Sequence, residues 1–574
     1  MEQVGFLERP QDASVSTNRP TLSAWWSTHS QRVWRLSALS FVVVTCLEQI
    51  RLVARVSRYV NGDHALLWLA AHHWSRLDIR EPTFFGQGYG VTFEAIPVAL
   101  LHAIGVPYNV ALQASLVGMA VLAWWWLAWC ARHRGLQLAS LTALAWPLLV
   151  SYQHFCVVDV IGTGVGRVFA ALCAGLVLRE RLTRRDVALA VAAGGFATAI
   201  DSASFLLAGP ALLWAGLRWL RSPRLWPAAC AGLAAPLAWL GLNFWFNGVH
   251  PDHLWHQGWS YEPMSYAFMQ NLRYPDDLLG AQAPELFPHG ALLGVVLVGA
   301  LLVTLERQAW RELAAVGCVL TQLLPLFSLE KTFDTHNTLW FPAARMTLCV
   351  PMTTWFLLTI TLRAALEPLQ RSAWSVERLR LRTFTAVATL ALLLLTAASS
   401  VTRAVHWSPR MRDFIRSGHF DPFIPIRRVQ HIEELCRAVK TAADAHYTNL
   451  VAFPDNITAN YACPTLQPTL VTVYPHYERR WWVLEELSSV YRERMLLWGV
   501  KPELCKQRRF RRHLRECKPI GKDAVALSFA ARPPLSMLRT LGINTRPFGR
   551  DCKPSDVATC STWREHFRTP DSMY

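Results

Sequence analysis

Apolar runs separated by short polar connectors fill most of this chain. They fall near residues 34–53, 109–131, 136–153, 161–178, 186–200, 203–217, 225–246, 288–305, 312–329, 346–362 and 383–401. Several approach or reach the roughly 20 residues a helix needs to cross a bilayer, and several are shorter. They lack the ten-residue alternation of an outer-membrane barrel. The pattern predicts an all-α polytopic membrane domain of about 11 transmembrane helices over residues 34–401. Past residue 402 the pattern changes. HIEELCRAVKTAADAHY repeats its apolar positions at helical spacing, TNLVAFP and TLVTVYP read as short strands, and ERRWWVLEELSSVYRERMLLW reads as a further helix. That alternation predicts a small C-terminal α/β domain over residues 402–574.

Basic residues orient the runs. The connectors after the second, fourth, sixth, eighth and tenth are ARHRG, RERLTRRD, RWLRSPR, ERQAWRE and RAALEPLQRSAWSVERLRLR, while the intervening connectors hold few basic residues. Arginine and lysine gather on the cytoplasmic side of a membrane. The polar segment 1–33 is therefore expected in the cytoplasm, and residues 54–108 and 402–574 outside it. Segment 1–33 lacks a signal-peptide pattern, so the first run is expected to stay as a membrane helix. VTFEAIPVALLHAIGV (91–106) is the ambiguous stretch. If it crossed, every Arg-rich connector after it would face outward. It is read as a helix lying in the outer interface, within one external loop (54–108) that contains juxtamembrane helices, LLWLAAHHW among them.

Composition agrees. The chain has 574 residues, 52% hydrophobic and only 17% charged, against about a quarter charged in soluble proteins. A net charge of +17 would suit a nucleic-acid partner if it lay on one soluble face. Many of the arginines lie in gaps between apolar runs instead, so no nucleic acid is expected. The C-terminal region holds Cys436, Cys463, Cys505, Cys517, Cys552 and Cys560. An even set in an external compartment permits disulfides, with a pairing that sequence does not reveal. The other seven cysteines lie in or near the spans and read as packing residues. KQRRFRRHLRECK (506–518) reads as a solvated helix face or a headgroup-binding patch.

The candidate chemistry lies in the outer connectors. Just beyond the first run stand Asp63, His64, His72, His73, Asp78, Glu81 and Glu94. An acid held partly out of water is a natural general base. Asp63, one short turn (NGD) past the first span, is the leading candidate, and capping the helix HALLWLAAHHW is its structural alternative. Asp159 in QHFCVVDV and Asp201 in AIDSAS end the third and fifth spans, as helix-end residues or around one shared site. Arg167 lies inside a span, where an arginine is costly and finds a partner, either Asp159 or an anionic ligand. The GTGVG around it lacks the Lys-Ser/Thr and preceding strand of a phosphate loop, and reads as small residues that let a helix or lipid chain approach. Lys331, His336 and Arg345 put cations at the outer interface, suited to a phosphate or to snorkelling anchors. The aromatic, His-rich loop 247–287 suits stacking on a sugar and equally an interfacial position. His72-His73 and His250-Pro-Asp-His253 do not have zinc spacing.

An Asp after the first span, a long external loop and then FFGQGYGVTFEAIPVALLHAIGVP together resemble the bacterial polyprenyl-phosphate-sugar-dependent membrane glycosyltransferases of the C-type fold (GT-C, family 39-like). Many bacterial members carry a similar aromatic-Gly-Gln-x-Tyr-Gly segment, then a Glu, then an apolar run ending in Gly. Here these are Phe85, Gly86, Gln87, Tyr89, Gly90, Glu94 and Gly105. The resemblance covers residues 34–400 by architecture and 61–107 by motif. Asp159 resembles the second-loop Asp of several branches. His64 stands where the second acid is common, so no metal ligands are assigned and a requirement for a divalent cation (Mg or Mn) stays open.

The resemblance implies inverting transfer of a sugar, with Asp63 taking the proton of an acceptor hydroxyl. It implies that Arg345, with Arg167 or His336, meets the departing phosphate, and that Asp159, Gln87, Tyr89 and Glu94 hold sugar or base. The implied partners are a polyprenyl-phosphate-linked sugar, membrane lipids, and a glycan, lipid or protein acceptor. The implied location is a bacterial inner (plasma) membrane. His476, Tyr477, Arg479, Arg480, Trp481 and Trp482 offer the acceptor an aromatic, cationic surface or simply pack as a helix start. Two other classes compete: a transporter or flippase of a lipid-linked substrate, for which inverted repeats are the expected mark, and a catalytically inactive GT-C-like assembly protein.

Overall fold

Helices occupy every one of the apolar runs. The computed structural model describes residues 22–78, 82, 91–149, 164–179, 182–219, 222–249, 268–269, 291–306, 308–328, 349–371, 387–398, 419–421, 424–425, 427–453, 456–473, 494–507 and 514–529. In chain order its helices begin with α1 (Leu22–Val56), α2 (Gly62–Ser75), α3 (Ala95–Ala103), α4 (Tyr108–His133) and α5 (Gln137–Leu149). There follow α6 (Gly164–Val177), α7 (Arg184–Ile200), α8 (Phe205–Trp219), α9 (Trp226–Gly232) and α10 (Ala234–Val249). Then come α11 (Ala291–Glu306), α12 (Trp310–Ser328), α13 (Val350–Arg371) and α14 (Val387–Ala398). The C-terminal region adds α15 (Val429–Ala445) and α16 (Ile457–Leu466).

The run 225–246 is interrupted at Leu233, and Pro236 falls in the first turn of α10, where its missing N–H leaves no helical bond unmade. Among the described residues, Gln31–Val56, Tyr108–His133 and Pro223–Phe246 are long and apolar enough to cross a membrane. Gly164–Val177, Val296–Glu306 and Val387–Ala398 are shorter apolar helices. Leu36, Leu39, Leu47 and Ile50 on α1, Phe244 on α10, Leu302 on α11 and Leu394 on α14 point outward, each more than half exposed. An apolar surface of that extent belongs against lipid. α3 has nine residues, about 14 Å at 1.5 Å per residue, too short to span. Its Leu100 and the following Ile104 are exposed, as an interfacial helix requires.

Behind the outward belt, Trp124, Leu127, Ala171, Trp214, Trp355 and Phe356 form the centre of one core. Two polar contacts tie its helices together. Trp214 Nε1 donates to Glu312 Oε1 at 2.9 Å and Arg311 Nε to the Trp214 carbonyl at 3.2 Å, tying α8 to α12. In the RERLTRRD connector, Thr183 and Asp186 form a capping box that starts α7, and Arg179 reaches Asp186 at 2.6 Å.

The C-terminal region opens with a short antiparallel pair, β2 (His419–Asp421) and β3 (Ile424–Pro425), and is built on a five-stranded sheet of order β6-β5-β7-β9-β8: β5 (Leu450–Ala452), β6 (Val471–Val473), β7 (Arg494–Trp498), β8 (Leu514–Ile520) and β9 (Ala524–Phe529). β5 runs parallel to β6 and β7, with α16 making the β5–β6 crossover, while β9 is antiparallel to β7 and β8. Two expectations are corrected here. RMLLW, read as the end of a helix, is strand β7, and the end of the basic run is the edge strand β8. A short apolar run does not distinguish strand from helix by its period alone; pairing with distant β9 decides both.

This domain is joined to the first loop. The short strand β1 (Tyr59–Val60) pairs antiparallel with β4 (Arg427–Arg428), in register Tyr59↔Arg428 and Val60↔Arg427. Val429 N donates to the Arg58 carbonyl at 3.0 Å. One core then runs from Val56, Val60, Leu66, Leu67 and Trp68 into Ile432, Val439, Phe453 and Tyr461. The loop and the domain therefore share one face of the molecule.

Disulfides Cys436–Cys463, between α15 and α16, and Cys505–Cys517 brace the domain; Cys552 and Cys560 lie outside the described residues. The first closes a loop with a sequence separation of 27, for which chain entropy gives about 3.5 kcal/mol. Replacing Cys436 and Cys463 together by alanine is expected to cost about that much and to raise amide exchange in α15, α16 and α2 in concert. Loosening confined to α15 and α16 would mean that α2 does not depend on them.

Candidate functional site

The turn NGD starts α2, and its residues divide the work. Asn61 is extended at the N-cap (φ −112°, ψ −179°), and its side-chain oxygen accepts from His64 N at 2.8 Å. The cap is thus supplied by Asn61. Asp63 is left in the first turn, half-buried, between the buried His64 and the β1–β4 pairing. At the other end of α2, His73 Nδ1 meets Asp78 Oδ2 at 3.2 Å, and Trp74 Nε1 donates to Thr92 Oγ1 at 3.1 Å while its ring meets Phe93 edge-on.

That contact delivers Glu94 to the membrane domain. Glu94 is fully buried, and its Oε1 accepts from the backbone N–H of Gly164 at 2.5 Å and of Val165 at 3.4 Å. A carboxylate on the first N–H groups of a helix satisfies orphan donors and sits at the positive end of its dipole. Arg167, one turn further along α6, is 2% exposed. Beside it, Asp201 ends α7 and caps the 3₁₀ turn Ser202–Ser204, accepting from Ala203 N at 3.1 Å and Ser204 Oγ at 2.9 Å. Burial pushes the Asp201 carboxyl up to about 6; the hydrogen bonds from Ser204 and Ala203, and then the Arg167 charge, act the other way. As a whole residue Asp201 keeps some exposure, but its carboxyl lies under α6. Cys349, at the entry to α13, places its Sγ 4.0 Å from Ser204 Oγ. Phe93, Phe169, Phe196 and Trp239 form an aromatic cluster alongside.

The close approach of α6 to the Asp201 turn depends on Gly166. A Cβ there would stand 2.6 Å from Ser204 Oγ and 2.8 Å from Asp201 Cβ. Gly166→Ala is expected to cost about 1–3 kcal/mol through overpacking, read as a lower unfolding temperature of the purified protein in detergent. An unchanged value would mean that the turn yields freely.

Of the residues singled out in the sequence, the structure thus gathers Glu94, Arg167 and Asp201 at the N-terminal end of α6. α2 is 14 residues long, and Asp63 lies roughly 16 Å along its axis from the Trp74 contact that leads to Glu94. Gln87, Tyr89, Asp159, Lys331, His336, Arg345 and residues 476–482 lie outside the described residues. Among the described residues no group of three His, Cys, Asp or Glu side chains is placed to hold a metal ion. The sequence reading offered Asp159 or a ligand as the partner of Arg167 and did not pair it with Asp201. The usable signal was that adjacent spans both end outward there, bringing position 167 of one to position 201 of the next. Ser204 and Cys349 carried no signal in the sequence.

No protein-family model matches this chain, and no curated protein matches it. Among solved structures, it resembles crystal structures of ArnT from Cupriavidus metallidurans, one in the apo state (TM-score 0.49, 10% identity) and one bound to undecaprenyl phosphate (TM-score 0.48, 11% identity). Each likeness covers 86% of this chain and 98% of that one. Likenesses of that size assign neither a fold nor a ligand to this chain.

Proposed function

We propose that this chain is a membrane glycosyltransferase that moves a sugar from a polyprenyl-phosphate donor to an acceptor hydroxyl on the outer side of a bacterial inner membrane, with Asp63 as general base. The observation that carries the reading is the placement of Asp63. It is a half-buried carboxylate in the first turn of a helix that another residue caps, shortly after α1 ends and under a disulfide-braced domain. The resemblance of residues 61–107 supplies the reaction class. Disulfides persist in oxidising compartments, which supports an external position for the domain and for Asp63 beside it.

In this reading the acceptor hydroxyl gives its proton to the Asp63 carboxylate. Its oxygen attacks the anomeric carbon from the face opposite the phosphate, and the bond from that carbon to the phosphate oxygen breaks. Polyprenyl phosphate leaves with the electron pair, and the configuration inverts. Arg345, with Arg167 or His336, offsets the charge that grows on the phosphate. Gln87, Tyr89 and Asp159 orient the sugar. Glu94 is a positioning residue that acts through α6, since its Oε1 is engaged by that helix. Alignment of donor and acceptor supplies much of the remaining acceleration.

One other reading has an observation in its favour. Arg167 and Asp201, deep at the end of α6, resemble charges along a substrate path, so a transporter of lipid-linked anions is the second candidate. The purified chain in nanodiscs, given radiolabelled polyprenyl-phosphate sugars and membrane-extracted acceptors, is expected to release polyprenyl phosphate and label an acceptor. Donor crossing proteoliposome membranes intact would favour transport, and neither result would favour an inactive assembly protein.

A further inference from the structure

The end of α6 remote from Glu94 gathers aromatic and cationic side chains. Arg179 lies just past the last turn of that helix, about 20 Å along its axis from Gly164. Its guanidinium carbon stands 5.9 Å from the Trp129 ring of α4, and its Nη1 donates to Asp186 of α7 at 2.6 Å. His133 meets the same Trp129 ring edge-on at 4.4 Å. Trp126 stacks on Trp129 at 5.1 Å and donates from Nε1 to the Leu172 carbonyl at 3.4 Å, so α4 lies directly against α6 here. Arg184 and Arg185 open α7; both are exposed, and neither makes an ion pair among the described residues. Asp186 is the acid of this group, and it is engaged by Arg179 and by Thr183. Glu180 and Arg181 lie outside the described residues and cancel in formal charge.

Three neighbouring helices each carry an apolar strip that ends in this group. On α4, Leu122 and Trp129 share a helical face with His133 and are 58% and 44% exposed. On α6, Phe169 and Leu172 are half-buried and continue at helical spacing to Arg179. On α7, Leu189 is 44% exposed and follows Arg185 by one turn. Phe196, further along α7, meets Phe169 edge-on at 5.1 Å. The strip on α6 is therefore recessed between those of α4 and α7. Its occupant must lay apolar length on the strips and negative charge on the arginines. A free phosphate leaves the strips uncovered, and a neutral lipid leaves Arg184 and Arg185 without a counter-charge. A soluble acidic protein does not reach a surface that faces lipid. An anionic phospholipid meets both demands, and basic surfaces between membrane helices hold such headgroups.

We propose that the α4–α6–α7 surface at this end of the bundle binds one anionic phospholipid, its phosphate on Arg184 and Arg185 beside Arg179 and its acyl chains along the strip of α6. The site rests on the placement of these helices in a membrane and not on the transfer chemistry. The test is native mass spectrometry of the purified full chain in detergent, titrated with phosphatidylglycerol or with phosphatidylcholine of the same acyl chains. One phosphatidylglycerol per chain is expected, held about thirtyfold more tightly than phosphatidylcholine, since each surface cation is worth about fivefold. Replacing Arg184 and Arg185 together by glutamine is expected to abolish that preference. Arg179 is left intact because it holds Asp186. Replacing Arg32 and Arg35 of α1 by glutamine removes the same charge from exposed positions and is expected to leave the preference as it is. Should the α7 double variant fail to fold, Arg185→Gln alone takes its place, with an expected loss of about fivefold. Equal binding of the two lipids by the parent, a preference kept by the α7 variant, or one lost equally in the α1 variant would overturn the proposal. Displacement of phosphatidylglycerol by equimolar polyprenyl phosphate would also overturn it, by giving the surface to the donor lipid. Failed sugar transfer with phosphatidylglycerol binding intact would count only against the catalytic reading.

Discussion

Asp63→Asn is expected to lower turnover by about 10²–10⁴-fold, the range for removing a general base, while the protein inserts and unfolds as the parent does. The side chains are nearly isosteric. The helix keeps its cap, because Asn61 supplies it. Donor KM is expected to change little, since the carboxylate acts on the acceptor proton; a single-turnover assay with labelled donor separates the two effects. Near-parental turnover in Asp63→Asn would remove the base assignment. The neighbouring Asn61→Ala offers the contrast: a loss of about 1 kcal/mol from the missing cap, read as a lower unfolding temperature.

The second large effect is structural. Glu94→Ala takes away the acceptor of the Gly164 and Val165 N–H groups in a fully buried place. An unsatisfied buried donor costs about 1–3 kcal/mol, and a cavity is left where the side chain was. A total near 3–5 kcal/mol is expected, at the upper end of single substitutions, with poor expression as the visible outcome. Glu94→Gln keeps an oxygen for the same N–H groups and is expected to lose well under half as much. Amide exchange at residues 164–167 reads the difference directly. If alanine and glutamine behaved alike, Glu94 would not be what holds the start of α6.

The positions of the helices were legible because lipid imposes a simple rule: every apolar run of sufficient length becomes a helix. The expectation that residues 91–106 form a helix that does not cross rests on a different argument. Its alternative would have turned every arginine-rich connector around, and α3 proves too short to cross. Strands β5 and β6 could be read from TNLVAFP and TLVTVYP, whereas the crossover helix α16 between them was not read. RMLLW could not, because its strand form depends on a partner at Ala524–Phe529 that local pattern does not specify.

The site was legible residue by residue and not as a constellation. Asp63, Glu94, Arg167 and Asp201 each stood out as charges beside lipid. That Glu94 serves the backbone of α6, and that Gly166 lets Asp201 lie beneath it, are matters of helix packing. So is the division of labour in NGD, where the amide took the role open to the acid.

The pairing of Tyr59–Val60 with Arg427–Arg428 has a consequence for biosynthesis. The segment just before Asp63 leaves the ribosome early, and its partner emerges more than 350 residues later. At about 5–20 residues per second the nascent protein spends tens of seconds with α2 unroofed. A chain cut short before residue 427 would never acquire that roof.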